Sequence, residues 1–315
     1  MTKILITEFI NQDSLNDLNN IFEIKFDEKL WEKNEELTEI IKDYDGLIVR
    51  NKTQVSKHIL SNAKNLKFIG RPGSGLENID LKYCKENNIE VFRSPEGNCD
   101  ALAEHALGML LALVNNIPKV NLEVRNGLWK REENRGLELM GKTMGIIGYG
   151  YMGKAFAQRL AGFGIRIIAY DKYISGFGNS IVEEVELNKI FEEANFVSLH
   201  TPLSEETTGL IDEKFIKKFK NPFFLINTAR GKSVILKDLV AALKSKKILG
   251  ACLDVLEIET RDFRIEKIDN NVFEELTTFE NVILSPHIAG WTSESKKKMG
   301  EVIIKKIKQK FILKS

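Results

Sequence analysis

Gly148, Gly150 and Gly153, with Asp171 placed 18 residues after the last of them, have the types and spacing to hold a dinucleotide. The first glycine makes the tight turn, the second lets backbone approach a pyrophosphate, and the third packs helix on strand. The helix that follows offers free N–H groups and a partial positive charge to the phosphates. Asp171 is the acceptor for a ribose diol and would repel a 2′-phosphate, while Lys172 beside it tempers that repulsion. Three further segments carry groups for alcohol and carbonyl chemistry: Asn227 to Gly231, Leu253 to Glu259, and Leu284 to Gly290. Between them they hold an arginine, several carboxylates and a histidine. Hydride transfer needs an acceptor, a proton shuttle and a cation that polarises the oxygen.

The elements that position these groups are strands and helices in alternation. The glycine turn follows an apolar run, Lys142 to Ile147, and opens an amphipathic stretch, Lys154 to Phe163. A second apolar run, Ile165 to Tyr170, ends at Asp171. Earlier strands are expected at Lys3 to Thr7, Gly46 to Val49, Lys67 to Ile69 and Glu90 to Arg93, with helical patterns such as Leu37 to Tyr44 and Ser56 to Ala63 among them. Later strands are expected at Phe196 to Leu199, Phe223 to Asn227, Gly250 to Asp254 and Asn281 to Leu284. Such alternation implies parallel sheets with crossover helices, and ligands sit beyond the carboxyl ends of such strands. A dinucleotide turn belongs to the first βαβ unit of its domain, yet this one sits at residue 148. A separate α/β domain therefore precedes it, and two doubly wound domains with a cleft between them are expected. A long apolar helix is predicted from Asp100 to Val114 and ends before Pro118. The charged segment Arg261 to Asn271 reads as an exposed loop, and a last helix runs from about Ser293 to Leu313.

Composition narrows the function. The chain has 315 residues, 43% of them hydrophobic, and a formal net charge of +1. That balance argues against a nucleic-acid binder, which needs a clustered basic face. Lys296 to Lys298, Lys305, Lys306 and Lys308 read as the solvated side of a helix. Cys84, Cys99 and Cys252 lie far apart, with no metal-ligand spacing, and suit reduced thiols in the cytoplasm. The N-terminus enters a strand pattern without a signal peptide. No apolar run is long enough to span a bilayer. No metal, nucleic-acid or membrane partner is expected.

Nearly end to end, the chain resembles the D-isomer-specific 2-hydroxyacid dehydrogenases. The segments that carry the resemblance are IGRPGSGLENID (69–80), SPEGNCDALAEHALGMLLAL (94–113), LMGKTMGIIGYGYMG (139–153), HTPLSEETTGL (200–210), NTARG (227–231), LDVLEIE (253–259) and SPHIAG (285–290). The resemblance implies an α/β fold of two doubly wound parallel-sheet domains. One is a flavodoxin-like substrate domain from residues 1–97 and 288–315. The other is a Rossmann NAD domain, 98–287, with a dimerisation segment near 100–140. It implies NAD as cofactor, with contacts at Gly148, Gly150, Tyr151, Met152, Gly153, Asp171, Thr201, Pro202, Thr207, Asn227, Thr228, Ala229, Arg230, Asp254, His287, Ala289 and Gly290. His200 is placed in the cofactor pocket wall and is the runner-up acid–base residue. Catalysis is assigned to Arg230, Glu259 and His287. An imidazole titrates near neutrality and can pass the alcohol proton in either direction. A carboxylate orients it, and a planar guanidinium suits a substrate carboxylate. Glu257 competes with Glu259, whose register after Asp254 fits the family pattern. Thr260 stands where members of the family usually place a proline. His58 reads as a surface residue and His105 as a structural histidine near a subunit interface.

The substrate is read from the N-terminal domain. The loop Arg71 to Gly75, including Ser74, is similar to one whose backbone N–H groups receive a substrate carboxylate, and such a run of donors suits an anion. Arg50 is similar to a substrate-binding arginine of the phosphoglycerate-oxidising members, and Arg131 is placed to meet a phosphate across a dimer interface. The expected reaction is oxidation of 3-phosphoglycerate to 3-phosphohydroxypyruvate, the first step towards serine. The alternatives are reduction of glyoxylate, hydroxypyruvate or another 2-oxo acid, or an NAD-sensing corepressor role. No length is left after the last helix for a serine-binding regulatory module, and feedback through one is not expected.

Overall fold

Short runs of branched and aromatic residues, each too short to be a stable helix, are the strands of two parallel sheets. A computed structural model describes residues 2–8, 10–260, 263–265 and 271–311. It divides into two compact units, Met1–Asn98 with Trp291–Ser315, and Cys99–Gly290.

The first unit holds β1 (Lys3–Ile6), β2 (Glu23–Phe26), β3 (Gly46–Ile48), β4 (Phe68–Arg71) and β5 (Glu90–Arg93), in the order β2-β1-β3-β4-β5. All pairings are parallel, and the order is that of a flavodoxin-like doubly wound sheet. The period-2 alternation of strands sorts the core. Ile4 and Ile6 face Ile303, Ile304 and Ile307 of the helix Ser293–Phe311, while Leu5 and Leu47 face Leu37, Ile41 and Ile59 on the other side. At Gly46 a Cβ would fall within 2.2 Å of the Phe68 ring, so that position has room only for glycine.

The second unit holds β6 (Thr143–Ile147), β7 (Arg166–Tyr170), β8 (Val182–Glu184), β9 (Phe196–Leu199), β10 (Phe223–Asn227), β11 (Ile248–Leu253) and β12 (Val282–Leu284). Their order is β12-β11-β10-β9-β6-β7-β8, again all parallel. One face is covered by the helices Cys99–Val114 and Tyr151–Leu160 through Ala103, Ala106, Leu110, Phe156 and Leu160. Ile190, Phe215 and Leu239 cover the other. The chain leaves β6 towards β7 and β8, then returns to β9 on the opposite side of β6. That reversal is the switch point at which doubly wound sheets bind ligands.

The α/β architecture is the one expected, with some differences in detail. β2 and β8 were not anticipated: Glu23-Ile24-Lys25-Phe26 is a largely exposed edge strand and lacks an apolar run. The long helix does end before Pro118, but a new helix, Ile117–Arg125, starts there, with Asn116 left-handed at φ 53° and the proline in its first turn. Proline suits that position because its missing N–H has no helical partner there. Of the expected loop Arg261 to Asn271, residues 261, 262 and 266–270 lie outside the described residues, as does the end of the last helix beyond Phe311.

Candidate active site

At the switch point the glycine turn is held by backbone contacts that only glycine permits. Gly148 has φ 94°, and a Cβ there would meet the His200 carbonyl at 2.8 Å. A Cβ on Gly153 would lie 2.2 Å from the Gly148 oxygen, so the third glycine seats the helix Tyr151–Leu160 on β6. At Gly150 a Cβ would enter open space, beside the uncapped N-terminus of that helix. Asp171, at the end of β7, receives the Tyr149 N–H on Oδ2 at 2.7 Å and the Tyr173 and Ile174 N–H groups on Oδ1 at 2.9 and 3.0 Å. Its orientation is thereby set, with acceptor capacity remaining on Oδ2. Along the same edge, the buried hydroxyls of Thr201 and Thr228 have no partner within the described residues. Tyr151 and Met152 open the helix, with Tyr151 exposed. This set fits a bound NAD: backbone donors at a helix start, a fixed carboxylate for a diol, and hydroxyls waiting for partners.

Thr207 turns inward: its hydroxyl donates to the Pro202 carbonyl at 2.7 Å and accepts the Ser204 N–H at 2.8 Å, closing the loop after β9. His200 is buried, with Nε2 2.9 Å from the Ser198 hydroxyl. Burial lowers its imidazole to about 3. Burial that disfavours the charged ring weighs against His200 as the runner-up acid–base residue. The linkage also has a sign. Below its ordinary value of 6.5 the unfolded chain takes up a proton that the folded one refuses. Its contribution is therefore complete above about pH 6.5 and declines as pH falls towards 3, by up to about 1.4 kcal/mol per pH unit. Urea midpoints of a His200→Gln variant should fall less steeply than those of the native chain between pH 6.5 and 4; equal slopes would refute this account.

Beyond β10, β11 and β12 the three remaining segments converge. Asn227 is fully buried and closes the turn on itself, donating to the Arg230 carbonyl at 3.0 Å and accepting the Ala229 N–H at 3.1 Å. Arg230 Nη1 donates to the Ala229 carbonyl at 2.7 Å. The next residue, Gly231, lies so close to the following segment that a Cβ would sit 1.9 Å from the Leu256 oxygen. Glu257 accepts the N–H of Leu236 at 2.8 Å, in the first turn of the helix Leu236–Lys244. Glu259 instead meets His287, with Oε1 2.5 Å from Nδ1. An ionised carboxylate can only accept, so Nδ1 is the nitrogen that carries the proton in this pair. Of the two glutamates, only Glu259 is in contact with His287 among the bonds described.

Asp254, only 2% exposed, builds the segment that presents His287. Its carboxylate accepts the Ser285 hydroxyl at 2.6 Å and the Ile288 and Ala289 N–H groups at 2.8 Å each. Its carbonyl accepts the His287 N–H at 2.7 Å, and His287 itself is left-handed at φ 55°. Asp254 thus acts on the loop that runs to Gly290. His105 joins this cluster 2.9 Å from the Ser285 hydroxyl, a structural position as expected from its place in an apolar helix. Thr260, where the resemblance expects a proline, is bonded to Arg264, while Glu259 bridges Ile265. The Phe263 ring lies 4.4 Å from the His287 ring, a contact no local pattern announced.

In the N-terminal unit the buried Glu8 carboxylate accepts N–H groups from Arg50, Lys52 and Thr53 at 2.8 to 3.1 Å, shaping the turn after β3. Asn78 holds the Arg50 carbonyl at 2.7 Å. The Arg50 guanidinium lies over the Trp291 ring at 4.7 Å, and burial lowers its affinity for the proton while Glu8 offsets this. After β4, Gly73 at φ 143° donates to Ser94 Oγ at 2.8 Å, and the Arg71 guanidinium occupies the space a Cβ on Gly73 would take. Ser74 donates to Asn98 at 2.7 Å, and Gly75 follows in the same loop. Arg131 is exposed in the segment after the helix Ile117–Arg125, and no hydrogen bond or ion pair shown among the described residues ties it to the other candidates. Within those residues no cluster of metal-ligating side chains occurs, and no helix is long and apolar enough to cross a membrane.

The family model for the D-isomer specific 2-hydroxyacid dehydrogenase NAD-binding domain matches residues 107–289. The chain is 35% identical over 305 residues to a hydroxypyruvate reductase of Thermotoga maritima, covering 97% of each. It is 36% identical over 314 residues to a D-3-phosphoglycerate dehydrogenase of Methanocaldococcus jannaschii, covering 98% of this chain and 57% of that protein, so it spans little more than half of that relative's length. A crystal structure of D-lactate dehydrogenase from Aquifex aeolicus, complexed with NAD and lactic acid, superposes with a TM-score of 0.80 at 27% identity, covering 97% of this chain and 94% of that one.

Proposed function

The chain belongs to the D-isomer-specific 2-hydroxyacid dehydrogenase family, and on that premise we propose that it interconverts a D-2-hydroxy acid and its 2-oxo acid with NAD, 3-phosphoglycerate being the substrate its anion-binding residues suit best. The observation that carries the chemistry is the His287–Glu259 contact beside the Arg230 turn. A bound NAD would supply the acceptor for the hydride from C2. His287 Nε2 takes the hydroxyl proton as the C2–O bond becomes a carbonyl, and returns it in the reverse direction. Glu259 keeps the other ring nitrogen protonated and holds the ring in place. Arg230 binds the substrate carboxylate and stabilises charge on the C2 oxygen.

The phosphorylated substrate rests on Arg50, two residues after β3, and Arg71, the last residue of the adjacent β4. A phosphate adds charge that suits them through charge-assisted hydrogen bonds. The second reading, reduction of hydroxypyruvate or glyoxylate, is favoured by the full-length match to the Thermotoga maritima enzyme. A substrate screen with NAD and NADP, run in both directions, tests the two. Arg50→Gln is expected to raise KM for 3-phosphoglycerate about 10- to 100-fold, the loss of a charged hydrogen bond of about 1.5–3 kcal/mol, and to change KM for glyoxylate far less. Equal changes for both would favour the second reading. Tight NAD binding with no turnover on any hydroxy acid would favour the corepressor role.

The homodimer expected through residues 100–140 is supported by apolar side chains turned outward there. Trp129 is 85% exposed and Met140 70%, with Leu122 and Leu128 near them in sequence. Large apolar side chains left exposed along one segment suit an interaction surface. Arg131 belongs to the same segment. Sedimentation velocity reads the mass directly. Buried thiols at Cys84 and Cys252, the former raised by burial to about 11, suit a reducing compartment and support a cytoplasmic place, with the reaction feeding serine synthesis.

A further inference from the structure

An ammonium beside Asp171 leaves the choice between NAD and NADP open, and its partner in the fold decides what it can do. Glu206 comes from the loop after β9 and spans to the loop after β7. Its Oε1 lies 2.7 Å from Lys172 Nζ, and its Oε2 accepts the Tyr173 hydroxyl at 2.6 Å. Lys172 also lies 5.6 Å from the Tyr173 ring centroid. The carboxylate and the ammonium hold one another charged: Glu206 sits below the ordinary carboxylate range and Lys172 above the ordinary lysine value, each through its hydrogen bond to the other. Tyr173 N–H bonds Asp171 while its hydroxyl bonds Glu206, so the two carboxylates are joined through one residue. The neighbouring Glu205 adds a third acidic group in sequence.

We propose that Glu206 is a specificity-determining residue for the cofactor: by occupying the Lys172 ammonium it denies a cation to a 2′-phosphate and leaves the Asp171 end of the site net acidic. A 2′-phosphate brings about −1.5 to −2 charges at pH 7. To be met by Lys172 it would have to displace Glu206, whose charge would then stand close by and unpaired. An unphosphorylated ribose needs only the Asp171 acceptor and is unaffected. Lys172 and Glu206 are each at least half exposed, so the discrimination is modest and weakens as salt rises.

This rests on the reading of the glycine turn as the dinucleotide site, and calorimetric binding of ADP-ribose and 2′-phospho-ADP-ribose to the full chain tests both without turnover. Glu206→Gln keeps the shape and the acceptor for Tyr173 but removes the charge. It is expected to tighten 2′-phospho-ADP-ribose about three- to tenfold while ADP-ribose changes by less than about twofold, as suits one exposed charge pair. Adding Lys172→Ala should abolish that gain, because the gain comes from the released ammonium. An unchanged ratio in Glu206→Gln, or a gain that survives in the double variant, overturns the role of Glu206 while leaving the dinucleotide reading intact. Failure of the native chain to bind either compound overturns both.

Discussion

Turnover by a His287→Asn variant is expected to fall about 10²- to 10⁴-fold, the range for losing a positioned acid–base group, while NADH binding and thermal stability stay near native. Asparagine is chosen because residue 287 is left-handed at φ 55°, a conformation asparagine tolerates better than most residues. The fold therefore survives the change and the effect reports chemistry. His200 does not take over, because burial disfavours its charged form, and Glu259, though released from the ring in this variant, lies on the side that faced Nδ1 and not Nε2. Glu259 acts through the imidazole, so Glu259→Gln should cost turnover by itself and add almost nothing in the His287→Asn background. A single variant that keeps turnover within tenfold of native, or losses that multiply in the double variant, would refute the pairing as the catalytic unit.

Much of the positioning apparatus was legible in the sequence because it is local. The glycine turn, its flanking apolar runs and Asp171 form one continuous signal, and Gly148 and Gly153 turn out to be required by contacts of 2.8 and 2.2 Å, while a Cβ on Gly150 would meet open space. Strands β9, β10 and β11 read as apolar runs because parallel strands are buried on both faces. β2 gave no such signal, since it pairs only with β1 and faces solvent. What the sequence withheld is mostly non-local. Glu257 and Glu259, two residues apart, are told apart in the sequence only by the register the resemblance supplies, whereas in the fold one meets Leu236 N–H and the other His287. Phe263 lies against His287 from 24 positions away, and Glu206 meets Lys172 from 34 positions away. Neither pair has a spacing that a helix or strand period could announce. His200 read as a rival base because residue type shows the chemistry available but not the burial that suppresses it.

Asp254→Ala should be the most destabilising of the single substitutions considered, by about 3–5 kcal/mol, and should lower turnover at least about 100-fold although its carboxylate points away from the proton path. At 2% exposure its two oxygens satisfy one hydroxyl and two backbone N–H groups. Alanine leaves the buried Ala289 N–H without its acceptor and takes one from the part-buried Ile288 N–H and Ser285 hydroxyl, the latter keeping His105 as a neighbour; each buried loss costs about 1–3 kcal/mol. The same bonds hold the backbone on the far side of His287, whose left-handed conformation is itself unfavourable by about 1–2 kcal/mol and persists only while its neighbours are pinned. Once Ile288 and Ala289 are released, residue 287 can relax to a right-handed conformation and carry the imidazole away from Glu259. A displacement of about 1 Å is enough to cost about 100-fold in rate. Asp254→Asn separates the two effects. Its single amide oxygen can serve Ile288 or Ala289 but not both, and its –NH₂ faces a donor, so it should fall between native and alanine in both unfolding free energy and turnover. Urea denaturation alongside steady-state rates reads both quantities. Full turnover in a destabilised Asp254→Ala protein would show that the loop keeps its shape without the carboxylate, and would remove Asp254 from the positioning of His287.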